Sequence, residues 1–171
     1  MTAIVLLLTS TVFVCIYGSD TTIDGNMQAY LLRGGLFDER EGFGRNVTGG
    51  LGGSVYHVTT LADSGSGSLR AAAESSEQLW IVFNVSGVIR LNSLLQVKSD
   101  KTFDGRGANV TITGHGFKIS GVSNIIVTHL VFDTAGEANL DGIRIYNGAH
   151  DIWVHHCDFA RWTDGCLDIT E

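Results

Sequence analysis

Hydrophobic positions along the chain recur as short runs of three to eight residues, with Gly, Asn, Asp and Ser between them. β-branched residues dominate these runs, and runs of that length and makeup predict strands. They fall at residues 55–59, 80–85, 88–91, 95–98, 101–103, 110–113, 118–120, 125–132, 143–146, 152–159 and 167–170. Good helix formers cluster in one stretch, Leu69-Arg-Ala-Ala-Ala-Glu74, which follows the turn-rich Ser64-Gly-Ser-Gly-Ser68. A helix there could cap an open end of a strand stack.

The runs also repeat. Asn124-Ile-Ile-Val-Thr-His-Leu-Val-Phe132 lies over Asp151-Ile-Trp-Val-His-His-Cys-Asp-Phe159 at an offset of 27 residues. Ile143-Arg-Ile145 lies over Leu167-Asp-Ile169 at an offset of 24. Such periods belong to solenoids, in which each turn buries its inner face only when a neighbour stacks on it. The expected fold is all-β, a single-stranded parallel β-helix.

Composition agrees with that expectation. There are 22 glycines and no proline, which suits many tight turns between short strands. The net charge of −7 supplies no basic stripe for a nucleic-acid backbone, so an anionic ligand would need a cationic mediator. Residues 1–18 hold an apolar stretch ending at Tyr17-Gly18 and read as a secretory leader, although its lack of Lys and Arg leaves a membrane anchor open. A polar segment follows at 19–40, and the ordered body is expected over 41–171.

An extracellular location suits the sequons at Asn46, Asn84 and Asn109. With Cys15 in the leader, Cys157 and Cys166 remain, either as a disulfide pair or as two small free side chains. No CxxC spacing suggests zinc. His155 and His156, as neighbours on one strand, should face opposite ways and so not share an ion.

Coil stacking directs attention to three carboxylates. Asp141 falls over position 165, beside Asp164, while Leu167 and Ile169 turn inward and Asp168 outward. Equivalent positions on successive coils are about 4.8 Å apart, so the three aspartates would converge on the outer face. A divalent cation would relieve their repulsion, and an all-oxygen donor set favours calcium. Spacing alone leaves another reading open: Asp141 and Asp164 as turn residues, and Asp168 paired with Arg144 on the adjacent coil.

Five ordered blocks resemble those of secreted pectate lyases: Glu41-Gly-Phe-Gly-Arg45, Gly67-Ser-Leu-Arg-Ala71, Lys101-Thr-Phe-Asp-Gly-Arg-Gly-Ala-Asn109, Asp151-Ile-Trp-Val-His-His156 and Asp164-Gly-Cys-Leu-Asp168. The resemblance implies a right-handed parallel β-helix that cleaves polygalacturonate by calcium-assisted β-elimination, with Asp141, Asp164 and Asp168 as metal ligands. Two positions depart from the family pattern. His155 stands where the family usually has aspartate, and Leu140 stands where a second acidic residue usually precedes the first ligand.

The resemblance also implies a proton-abstracting arginine, with a substrate-binding lysine and a further arginine, all beyond Glu171. Arg144 is a conceivable substitute on the same face. The sequence therefore reads as an N-terminal portion, truncated at its C-terminal end, that holds the metal half of the site and lacks the base. The whole protein is expected to be a secreted monomer acting on pectate. Two rivals stand beside it: a polygalacturonase-type hydrolase on the same fold, suggested by Asp141-Gly-Ile and Gly114-His-Gly116, and a non-catalytic module binding acidic polysaccharide through calcium.

Overall fold

A computed structural model describes residues 35–134 and 141–171. The leader, most of the polar segment and Leu140 lie outside the described residues. The ordered elements are almost entirely strands: β1 (Ser54–Val58), β2 (Leu79–Phe83), β3 (Gly87–Leu91), β4 (Leu95–Gln96), β5 (Lys101–Asp104), β6 (Val110–Gly114), β7 (Phe117–Ser120), β8 (Ser123–Thr128), β9 (Val131–Asp133), β10 (Ile143–Tyr146), β11 (His150–His155), β12 (Asp158–Ala160) and β13 (Leu167–Ile169).

Three sheets result, ordered β1-β2-β5-β8-β11, β4-β7-β10-β13 and β3-β6-β9-β12. Their strand pairs are all parallel. Each strand meets its equivalent on the next coil, and the crossover that parallel pairing requires is the remainder of the coil itself. The chain is thus a parallel β-helix of about five turns. Both repeats read from the sequence are realised in register, with Ile152 opposite Ile125 and Ile143 opposite Leu167.

Two runs expected as single strands, 125–132 and 152–159, are each broken by a corner. His129 (φ 54°) ends β8 and His156 (φ 48°) ends β11, both in the left-handed region. The apolar run continues through the corner because the residues on either side face the same core, so hydrophobicity alone does not mark the bend.

A row of aromatic rings in mutual contact runs through the interior. Phe103 lies 5.1 Å from Phe117, Phe117 5.0 Å from Phe132, and Phe132 5.0 Å from Phe159, centroid to centroid. Around them pack the inward residues of every coil, including Ile81, Ile89, Leu95, Ile112, Ile119, Ile125, Val127 and Ile143. The helix Leu69–Ala73 closes the first end of the stack. Ser68 caps it by accepting the Ala71 N–H at 3.2 Å, and Leu69, Ala72 and Ala73 enter the core beside β1 and β4.

The first sheet is covered on its outer face as well. Leu36, Val47, Trp80 and Ile126 form a second apolar cluster, so packing begins ahead of residue 41, where the ordered body was expected to start. Leu36 falls within the segment 19–40 that was expected to be polar. The glycine-rich segment after Val47 crosses this sheet closely: Gly50 N–H donates to Thr102 Oγ1 at 2.9 Å, and a Cβ on Gly49 (φ 53°) would collide with the same hydroxyl. Asn124 locks the crossing, its carboxamide oxygen accepting the backbone N–H groups of Thr48 (2.9 Å) and Gly49 (2.7 Å).

Two buried charges complete the coil corners. The Lys101 ammonium donates to the carbonyls of Glu77 (2.6 Å) and Ser99 (2.8 Å), and burial pushes its pKa down. Asp104 accepts from the Trp80 indole at 3.1 Å and from Arg106 through Nε (2.9 Å), Nη2 (2.7 Å) and the backbone N–H (3.1 Å). Buried charges are tolerated when each is matched in this way. Cys157 and Cys166 are not bonded to one another. Burial raises the Cys157 thiol pKa to about 11, which leaves it an inert packed side chain.

Phe132 touches two rings of the stack, so Phe132→Ala is expected to cost ~3–5 kcal/mol of unfolding free energy. Phe43, fully exposed, is the control, and its replacement by Ala should stay within ~0.5 kcal/mol. Chemical denaturation of both variants is the check, and equal losses would remove the aromatic stack as the source of core stability.

Candidate functional site on the outer aspartate face

Asp141 precedes β10, and its carboxylate is largely buried. Its Oδ1 accepts the Gly165 N–H at 2.9 Å, the contact across neighbouring coils that the offset of 24 anticipates. Any Cβ at Gly165 would run into that oxygen, so only glycine lets the next coil approach. Asp168 sits in β13 directly opposite Arg144 of β10. Arg144 Nε lies 3.7 Å from Asp168 Oδ2 and 3.9 Å from Asp141 Oδ2, so two carboxylates from adjacent coils converge on one point.

Asp164 is exposed and immediately precedes Gly165. Its carboxylate does not join the other two in a tight group. Among the described residues, the one set of three His, Cys, Asp or Glu side chains with donor atoms within 4.8 Å of one another lies elsewhere. The ion pair weighed as an alternative from spacing, Asp168 with Arg144, is present alongside the carboxylate convergence. Leu167 and Ile169 share register with the buried Ile143 and Ile145, yet they are 41% and 70% exposed. They lie in β13, an edge strand of its sheet.

A ladder of outward side chains adjoins the aspartates. Gln96, Lys118, Arg144 and Asp168 are in register across β4, β7, β10 and β13. Tyr146 lies beside it, its ring 5.8 Å from Lys118 Nζ and 5.1 Å from the Arg144 guanidinium carbon. A hydrogen bond from Lys118 lowers the Tyr146 pKa. Sequence reading missed Lys118 and Tyr146, although Phe117-Lys-Ile119 repeats the apolar-polar-apolar pattern of Ile143-Arg-Ile145 and could have revealed the lysine.

The three-membered set is Glu39, His155 and His156. The expectation that the two histidines face opposite ways fails because His156 is the left-handed corner residue, which ends the strand alternation and swings its ring back. Their Nδ1 atoms approach to 2.7 Å, and Glu39 Oε2 lies 3.9 Å from each. Trp153 stacks on His155 at 3.7 Å, and His129 stacks on His156 at 4.9 Å. Burial, reinforced by His156, pushes the His155 pKa down to about 4, while its Nε2 is buried without a partner. No sequence spacing links Glu39 to a histidine pair more than a hundred positions away.

Among the described residues no helix is long and apolar enough to cross a membrane. No protein-family profile matches the chain. Individual relatives do. It is 35% identical over 158 residues to pectate lyase 5 of Ambrosia artemisiifolia, covering 80% of this chain and 40% of that protein. It is 39% identical over 162 residues to a probable pectate lyase 12 of Arabidopsis thaliana, covering 80% and 33%. A pectate lyase of Lilium longiflorum is 38% identical over 153 residues, covering 75% and 35%.

The chain therefore spans two fifths or less of the length of these relatives. Among solved structures it is similar to the crystal structure of Jun a 1, the major allergen from cedar pollen. The TM-score is 0.74 at 27% identity, covering 86% of this chain and 49% of that one. With 35–39% identity over about four fifths of its length and a matching coil architecture, the chain is similar to part of these pectate lyases.

Proposed function

We propose that this chain forms the calcium-binding part of a secreted pectate lyase that cleaves polygalacturonate by β-elimination. The observation that carries the reading is the convergence of Asp141 and Asp168, from adjacent coils, within 4 Å of Arg144 Nε on the outer face. Asp141, Asp164 and Asp168 would hold the ion. Their all-oxygen donor set suits calcium, which accepts irregular geometry and leaves positions for a ligand's own carboxylates. The chemistry a bound calcium supplies is neutralisation of a uronate carboxylate, which acidifies the neighbouring C–H.

The chain's own residues prepare the surface for such a polymer. Gly165 N–H fixes one oxygen of Asp141 and leaves the other facing Arg144. Lys118 and Arg144 add two positive charges in line with the aspartates, in reach of successive carboxylates of an acidic sugar chain. Tyr146 offers a flat ring beside them. Arg144 is already engaged by two carboxylates, so proton abstraction is assigned to an arginine beyond Glu171, and β-elimination to the longer protein. Secretion rests on the leader at residues 1–18.

The ladder of Lys118, Arg144 and Tyr146 also supports a second reading, calcium-dependent pectate binding without cleavage. The two separate on polygalacturonate treated with the longer protein. The lyase reading expects products that absorb in the ultraviolet through a new conjugated C=C bond. Reducing ends without that absorbance would point to a hydrolase, and binding with no new ends to the non-catalytic module.

Asp168→Ala should lower calcium affinity at least about tenfold, or ~1.4 kcal/mol, by calorimetry, and unchanged affinity would remove Asp168 from the site. Gly165→Ala should weaken calcium binding by displacing the Asp141 carboxylate, with a smaller effect on melting temperature. Intact affinity in that variant would show that the contact between Gly165 and Asp141 does not organise the ligands.

A further inference from the structure

Glu39, His155 and His156 lie at the exit of β11 in the first sheet, away from the sheet that carries Asp168. The hydrogen-bonded pair of imidazoles satisfies two of the three facing donor atoms. The Glu39 carboxylate, 3.9 Å from both Nδ1 atoms, is too far to share that bond. A cation at the centre would engage all three. The circumcentre of a triangle with sides of 2.7, 3.9 and 3.9 Å lies about 2.1 Å from each corner, which matches zinc bond lengths to imidazole nitrogen and carboxylate oxygen.

We propose that Glu39, His155 and His156 form a binding site for a first-row transition metal of the zinc type, separate from the aspartate face. Two imidazoles and one carboxylate make a donor set that suits zinc and its neighbours and is a poor match for calcium. Both rings are held in place, His155 against Trp153 and His156 against His129. Arg106, the cation whose charge also reaches His155, is matched by Asp104.

Glu39 and His156 are 47% and 61% exposed at their side chains, so water can reach the ion and fill its remaining position. The ion would join the segment anchored by Leu36 to the corner after β11. It would thereby clamp the cover on the outer face of the first sheet.

The test uses the chelator-treated chain titrated with zinc chloride by calorimetry, with Co²⁺ absorption and thermal melting as further readouts. One equivalent of zinc should bind, Co²⁺ should give the visible bands of a nitrogen- and oxygen-ligated ion, and zinc should raise the melting temperature. Glu39→Ala removes an exposed side chain, so it should melt like the metal-free parent, and both it and His156→Ala should lose at least tenfold in zinc affinity. Asp168→Ala should bind zinc like the parent. Absence of zinc binding would overturn the proposal, because the histidines would then form a hydrogen-bonded pair alone. Undiminished binding in Glu39→Ala and His156→Ala would overturn it equally.

Discussion

A strand in a coil of this kind satisfies its backbone N–H and C=O groups from the coils on either side, in parallel and in register. Everything else in the molecule follows from that constraint. Register places like positions about 4.8 Å apart, so Phe132 stacks on Phe159 of the next coil, and a single outward charge becomes a ladder. The same constraint brings Asp141 onto the coil of Gly165 and Asp168 onto the coil of Arg144. The candidate site is therefore a by-product of strand pairing and needs no dedicated loop to assemble it.

Corners are where the constraint is weakest, and there side chains take over from the ladder. Lys101 holds the carbonyls of Glu77 and Ser99, while Asp104 gathers Trp80 and Arg106. Asn124 ties the crossing glycine segment to the sheet. Much of the resemblance to pectate lyases rests on such residues. Lys101 to Arg106 build a corner, Ser68 and Arg70 order the end helix, and Gly44 passes against Trp153 where a Cβ would not fit. The most recognisable blocks thus report the fold first and the chemistry only through the scaffold they support.

The left-handed corners also explain where sequence reasoning about the histidines broke down. Alternation of faces holds within a strand, and His155 obeys it, but His156 sits at φ 48° and no longer belongs to the strand. His129 occupies the same corner one coil earlier at φ 54°, which is why the two rings stack. Histidine is among the non-glycine residues enriched at positive φ, yet the angle is still uncommon for it, so the residue alone does not mark the corner in the sequence. Glu39 was equally hidden, because its segment reads as polar while Leu36 within it is a core residue.

Local pattern and period were enough, taken alone, to determine the coil, its repeat, the register of β10 on β13 and of β8 on β11, and the outward positions of Arg144 and Asp168. These are set by which side chains avoid water and by a backbone that pairs at one fixed spacing. Tertiary structure alone decided the rest. It set Arg144 between Asp141 and Asp168 and kept Asp164 from closing a tight group of three with them. It also drew Glu39 to the paired histidines. Those outcomes depend on corner dihedrals and on contacts between segments distant in the chain, neither of which leaves a periodic trace in the sequence.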